Sequence, residues 1–105
     1  MIQAIFTVQD KLVTGFEISG HSDFSEQGSD IVCAAVSSAA YMTANTLTEI
    51  QELPCEITER DGFMQLDLSK EAAEQAQVVL NGFLLHLNAL CEGYAGFIDL
   101  KISEV

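Results

Sequence analysis

A cysteine and a histidine twelve positions apart, Cys33 and His21, are the two residues whose types and spacing could do chemistry. They lie in the run GHSDFSEQGSDIVCAAVS, from Gly20 to Ser37. If Asp30 caps a helix, Cys33 falls near its third position, where the first backbone N–H groups have no intrahelical acceptor. The positive end of the helix dipole favours a thiolate there, and the same N–H groups could donate to an oxyanion. A helix-terminal or His-paired cysteine can fall from a pKa of about 8.5 to roughly 3.5–7.5. His21, on the preceding loop, can fold back beside the thiol. It would act first as base toward the thiol and then as acid toward a leaving amine.

Three neighbours could support the pair. Asp30 can cap the helix, orient His21, or do both. Ser37 lies four residues after Cys33, on the same helical face, and can hydrogen-bond near the thiol. Gly20 and Gly28 supply backbone freedom at the two ends of the loop, which would let it open for a substrate and close over it. Each residue also has a plainer reading. Cys33 would be a small apolar residue in an Ala/Val run, His21 a solvated loop side chain, and Ser37 a packing residue. His86, among Leu84, Leu85 and Leu87, reads as a boundary residue of a helix. Cys55 and Cys91 read as packing.

The elements that must position this segment follow from periodicity. Met1 to Gln9 alternates, with Ile2, Ala4, Phe6 and Val8 on one face. Lys11 to Gly20 alternates with Leu12, Thr14, Phe16 and Ile18 together. A polar, glycine-bearing loop follows from Gly20 to Ser29. The first helix starts at the Asp30 cap and runs to about Glu52, with Val32, Val36, Ala39, Thr43, Leu47 and Ile50 at helical spacing. Its small residues from Ala34 to Ala40 permit close packing, and Pro54 ends the region. Cys55 to Arg60 and Phe63 to Leu68 form a hairpin around Asp61-Gly62. Ser69 caps a second helix with a broad apolar stripe through Ala73, Ala76, Leu80, Phe83 and Leu87, broken at Gly93 to Gly96. Phe97 to Ile102 is a last strand. The order ββαββαβ predicts an α/β fold of the α+β type, a two-layer sandwich with a mainly antiparallel sheet and two helices.

Composition narrows the function classes. At 105 residues, 49% hydrophobic and 19% charged, the chain is expected to fold as one globular domain, residues 1–105. The longest apolar run falls short of a membrane span and no basic stretch precedes an apolar one, so no membrane segment and a cytoplasmic location are expected. Three cysteines outside any CxxC pair fit reduced thiols, and two histidines without HxxxH spacing give no zinc site. No cofactor motif is present: the glycines form no phosphate loop. The net charge of −12 disfavours direct nucleic-acid binding and would attract a cationic partner, besides keeping the domain soluble.

The Gly20-His21 pair, followed by Gly28-Ser29-Asp30-Ile31-Val32-Cys33-Ala34-Ala35-Val36-Ser37, resembles the ribosomal-processing cysteine protease family, Prp. Length and element order resemble that family as well, so the resemblance covers essentially the whole chain. It implies a bacterial cytoplasmic endopeptidase, homodimeric. Such an enzyme removes a short N-terminal extension from the twenty-seventh large-subunit ribosomal protein, cutting after paired aromatics in a hydrophobic segment. By motif position, His21 and Cys33 would be the catalytic dyad, with Gly20, Asp30 and Ser37 in support. The loop segment from Ser22 to Gln27 departs most from the family pattern and would tune substrate access. Tyr41, Met42 or Phe24 could line an apolar groove for the substrate. Two other readings of the residues remain open: a non-enzymatic acidic ribosome-assembly factor that binds its basic client, and another acyl transfer at the same thiol, such as a thioesterase or amidase.

Overall fold

The computed structural model describes residues 1–21 and 30–105. The loop expected between Gly20 and Ser29 therefore lies mostly outside the described residues, as do the roles expected of Gly28, Phe24 and the segment 22–27.

Five strands form one sheet in the order β3-β4-β2-β1-β5. They are β1 (Ile2–Gln9), β2 (Leu12–Ser19), β3 (Cys55–Arg60), β4 (Phe63–Leu68) and β5 (Ile98–Glu104). β1 pairs with β2, β2 with β4 and β3 with β4, all antiparallel, while β5 runs parallel to β1. The helices are α1 (Ile31–Asn45), α2 (Lys70–Glu74) and α3 (Gln77–Gly93). The two-layer α/β arrangement is the one expected, with three helices in place of two.

The core explains the layering. Ile2, Ala4 and Phe6 alternate inward from β1, and Met64, Leu66 and Leu68 from β4, to meet Val32 and Val36 of α1 and Leu80, Phe83 and Leu87 of α3. Phe6, Phe16 and Phe83 form an aromatic cluster with ring centroids 5.0–6.0 Å apart. β2 departs from its expected alternation. Its pairing with β1 passes from Thr7↔Gly15 to Val8↔Val13, so Thr14 is an extra residue, and Val13 rather than Leu12 turns into the core. Gly15 beside it has no room for a side chain, since a Cβ would sit 2.5 Å from the Leu66 carbonyl oxygen. Val13 lies beyond the end of β4, and Gln77 takes the missing strand's place. The Gln77 amide accepts from Val13 N–H at 3.0 Å and donates to its carbonyl at 2.8 Å. That bond fixes the start of α3, which is why the expected single helix from Ser69 breaks after Glu74. Ser69 does cap α2, accepting from Ala72 N–H.

α1 continues as a wider π-helical turn, Thr46–Ile50, where Gln51 N–H reaches the Thr46 carbonyl five residues back. Thr43, Thr46 and Thr48 hydroxyls each donate to the carbonyl four residues earlier, which competes with the regular ladder. The stop is Glu52 in the left-handed region (φ 53°), with Leu53 N–H returning to the Leu47 carbonyl, two residues ahead of Pro54. By length and composition alone, Ile31–Ile50 is long and apolar enough to cross a membrane, contrary to the expectation that no run reaches that length. In the fold its Val32, Val36, Ala40, Thr43 and Leu47 face is buried, as in the core helix of a sheet protein.

Candidate active site

The end of β2 and the start of α1 bring the two expected residues together. Cys33 Sγ lies 4.0 Å from His21 Nδ1. Cys33 is half-buried on the first turn of α1, and His21 is exposed just past β2. The contact is at the long end for sulfur, with Nδ1 of the exposed imidazole turned toward the thiol.

Asp30 is the helix cap. Its Oδ1 accepts from the backbone N–H groups of Val32 and Cys33, both at 3.0 Å, and its carbonyl accepts from Ala34 N–H at 3.1 Å. These bonds anchor the cysteine's backbone. They also occupy the N–H groups of residues 32 to 34, so these three expected oxyanion donors are taken in this geometry, Val32 and Cys33 by the Asp30 carboxylate and Ala34 by the Asp30 carbonyl. Ser37 is exposed one turn along from Cys33 and lines the same cleft.

Gly20 meets its conformational expectation for a specific reason. It has φ +89°, and a Cβ there would sit 2.7 Å from the Met1 carbonyl oxygen. Its N–H donates to the Gly62 carbonyl at 2.9 Å, which ties the residue before His21 to the β3–β4 turn. Gly62 sits close against the imidazole: a Cβ there would stand 3.2 Å from His21 Nε2. The histidine is thus backed on its Nε2 side by the hairpin turn while Nδ1 faces the thiol. Sequence reasoning identified Asp61-Gly62 as a turn, but nothing in the sequence placed that turn behind His21.

Both residues open onto a cleft of about 160 Å³ between α1 and the ends of β2 and β4. Cys33, Ser37 and Tyr41 form one stripe of α1 along it, and Ile2, Ile18, Val36, Ala40 and Met64 give it an apolar lining. Tyr41 was among the expected groove residues and does line it. Its hydroxyl donates to Glu59 Oε2, bridging α1 to β3. Met42 is exposed outside the cleft. Arg60, Asp61 and Phe63 complete the far wall without having been foreseen, with the Arg60 guanidinium 3.9 Å from the centre of the Phe63 ring.

The other thiols stand apart. Burial pushes the thiols of Cys55 and Cys91 up from their ordinary value, Cys91 with help from Asp99 and Glu92. Both are half-buried against the core. His86 is exposed on α3, away from the cleft. Among the described residues no three His, Cys, Asp or Glu side chains gather in a way that could hold a metal ion.

A cysteine beside a histidine in an apolar cleft can perform nucleophilic acyl transfer, and the relatives of this chain are enzymes of that kind. The family model described as Cysteine protease Prp matches residues 1–99. The ribosomal processing cysteine protease Prp of Bacillus subtilis is 32% identical over 101 residues, covering 90% of each chain. The protein of the same name from Staphylococcus aureus is 30% identical over 104 residues, covering 96% of this chain and 98% of its own. The crystal structure of an essential ribosomal processing protease Prp from S. aureus, in complex with a covalently linked product peptide, superposes with a TM-score of 0.90. It is 29% identical and covers 98% of this chain and all of its own. A structure of that protease with a substrate peptide gives a TM-score of 0.84 at 28% identity, with 98% and 100% covered. The α/β sandwich, the thiol and imidazole at one cleft, and these matches across the chain agree: this protein belongs to the Prp family of ribosomal processing cysteine proteases.

Proposed function

We propose that Cys33 is the nucleophile and His21 the general base of an endopeptidase that removes the N-terminal extension of the twenty-seventh bacterial large-subunit ribosomal protein during ribosome assembly in the cytoplasm. The observation that carries the proposal is the 4.0 Å approach of Cys33 Sγ to His21 Nδ1 at the mouth of an apolar cleft.

His21 Nδ1 takes the Sγ proton, and the thiolate attacks the scissile carbonyl carbon. The tetrahedral intermediate collapses as the C–N bond breaks, with Nδ1–H protonating the leaving amine. Water then attacks the thioester carbon, giving a proton to the same nitrogen; the C–S bond breaks, Nδ1–H returns its proton to the departing Cys33 sulfur, and the acid product loses its proton to solvent as the carboxylate. Gly62 holds the imidazole from behind. Asp30 fixes the turn that carries Cys33. The Ser37 hydroxyl, one turn along the cleft wall, is the nearby side-chain donor for the substrate's carbonyl oxygen.

Two features support the substrate. From Cys33 to Tyr41 the helix rises roughly 12 Å, enough to flank about three or four extended residues, and the lining suits an apolar segment. The net charge of −12 draws a basic ribosomal protein toward the enzyme. Membership of a protease family sets aside the binding-only assembly-factor reading. Thioesterase or amidase chemistry has no observation in its favour.

The test is a cleavage assay read by mass spectrometry, using a peptide that copies the ribosomal extension. Wild type should give a single cut, and Cys33→Ala should be slower by at least about a thousandfold with its circular dichroism unchanged. Cleavage by Cys33→Ala at the wild-type rate would overturn the assignment.

A further inference from the structure

The far wall of the catalytic cleft carries a charge that the proteolytic steps leave unused. Arg60 ends β3 and pairs with Phe63 across the Asp61-Gly62 turn, so both side chains rise from one face of the hairpin. The guanidinium carbon lies 3.9 Å from the centre of the Phe63 ring. An aromatic face attracts the cation and offers no oxygen to its N–H donors. Arg60 has carboxylates on both sides in the sequence, Glu59 and Asp61, yet among the described residues none lies within ion-pair distance of it. Glu59 instead accepts from the Tyr41 hydroxyl. The chain holds only four Lys and Arg residues. Lys70 pairs with Asp10 and Lys101 with Asp99, Lys11 lies in the β1–β2 turn, and Arg60 is the one that lines the cleft. A fork of donors therefore faces the space beside Cys33 and His21, in a protein of net charge −12.

We propose that Arg60 takes the carboxylate of the acyl product as hydrolysis frees it from Cys33, and so fixes how tightly the enzyme retains that product. The inference rests on the proteolytic reading and adds a role on its product side. The apolar lining suits an uncharged segment, and the reaction itself makes the charge. Until hydrolysis the group at Sγ is a neutral amide and then a neutral thioester. Water adds to the thioester carbon, the C–S bond breaks and Sγ recovers its proton from Nδ1–H. The acid then ionises to solvent, as an ordinary α-carboxyl pKa of about 3.5 requires near neutral pH. The new carboxylate stands in a cleft where Asp61 and the net charge both repel it. The Arg60 fork matches the two carboxylate oxygens, and a guanidinium loses less hydration than an ammonium on forming such a pair. Phe63 holds the planar group in place beforehand, which lowers the entropy lost on binding. The free acid is thus held by a contact that the uncut peptide does not make.

The test uses the N-terminal fragment that wild type releases from the extension peptide, made once as the free acid and once as the carboxamide. Isothermal titration calorimetry near neutral pH gives both affinities for wild type, Arg60→Gln and Lys101→Gln, the last removing an equal charge outside the cleft. Far-UV circular dichroism checks that each is folded. Wild type should bind the free acid roughly tenfold more tightly than the carboxamide. Arg60→Gln should bring the two within about twofold while leaving the carboxamide affinity near wild type, and Lys101→Gln should keep the wild-type ratio. A free acid that binds wild type no better than the carboxamide, or a ratio that survives Arg60→Gln, would overturn the proposal. So would equal losses in Arg60→Gln and Lys101→Gln, since net charge alone would then account for them. Cleavage of the uncut peptide by the same wild-type sample separates the two readings. Product that is made but held without regard to its carboxylate sinks this inference alone, whereas no product sinks the proteolytic reading with it.

Discussion

Beneath α3 the sheet is sealed, and beneath the N-terminal half of α1 it is open. Phe83 meets Phe6 and Phe16 ring against ring, with Leu80 and Leu87 filling the flanks and every one of these side chains buried. On α1 the residues facing the sheet are Val32, Val36 and Ala40, with Ser37 beside them. These short side chains leave the cleft that Cys33 and His21 share. Side-chain volume on two helices of one layer thus decides which end of the sheet is packed solid and which keeps a cleft. The sealed end also has its backbone completed by Gln77, whereas the open end depends on two glycines, Gly20 packed against the Met1 carbonyl and Gly62 against His21.

Substitutions can separate the two ends. His21→Ala should lower cleavage by about 10²–10⁴-fold while leaving thermal stability near wild type, since the ring is exposed. Peptide turnover and a melting curve on the same sample check both halves of that statement. Phe83→Ala should do the reverse. Removing the central ring of the aromatic cluster should cost about 3–5 kcal/mol of stability, measured by urea denaturation, and the fraction still folded should cleave at close to the wild-type rate. A Phe83→Ala enzyme that is stable but inactive would dissolve the distinction between the regions. Asp30→Ala lies between them. Loss of the cap should cost about 1 kcal/mol, visible as a fall of about 4–8 °C in melting temperature. It should also slow cleavage modestly, because the N–H groups of Val32 and Cys33 lose their fixed acceptor.

The same contrast separates what the sequence makes legible from what it hides. The hairpin emerges with both strands at their expected limits, Cys55–Arg60 and Phe63–Leu68, because Asp61-Gly62 is a local turn signal flanked by regular alternation. Asp30 and Ser69 are legible as caps because a cap is written within three residues of itself. The bulge at Thr14 is not legible, since an inserted residue becomes visible only against a partner strand. Nor is the break between α2 and α3, which no proline or glycine marks: it is set by Gln77 reaching Val13, 64 positions away. At the site, Cys33 and His21 are legible from residue type and spacing. Gly62, Phe63 and Arg60 are not, because sheet register rather than sequence proximity brings the hairpin to the cleft. Two of the oxyanion donors expected from the helix end, the N–H groups of Val32 and Cys33, are taken for a local reason, the Asp30 side chain folding back onto them.

Graded alkylation tests the central claim, that chemistry resides in Cys33 at the open end and nowhere else, most directly. The protein is treated with sub-stoichiometric iodoacetamide near neutral pH, the modified positions are quantified by peptide mass spectrometry, and residual cleavage is measured on each sample. Cys55 and Cys91 are half-buried and burial holds both thiols protonated to higher pH, so they should react slowly. Activity should fall in proportion to modification of Cys33 alone and vanish when that position is fully alkylated. Activity that survives complete modification of Cys33, or that is lost while only Cys55 or Cys91 has reacted, would contradict the account.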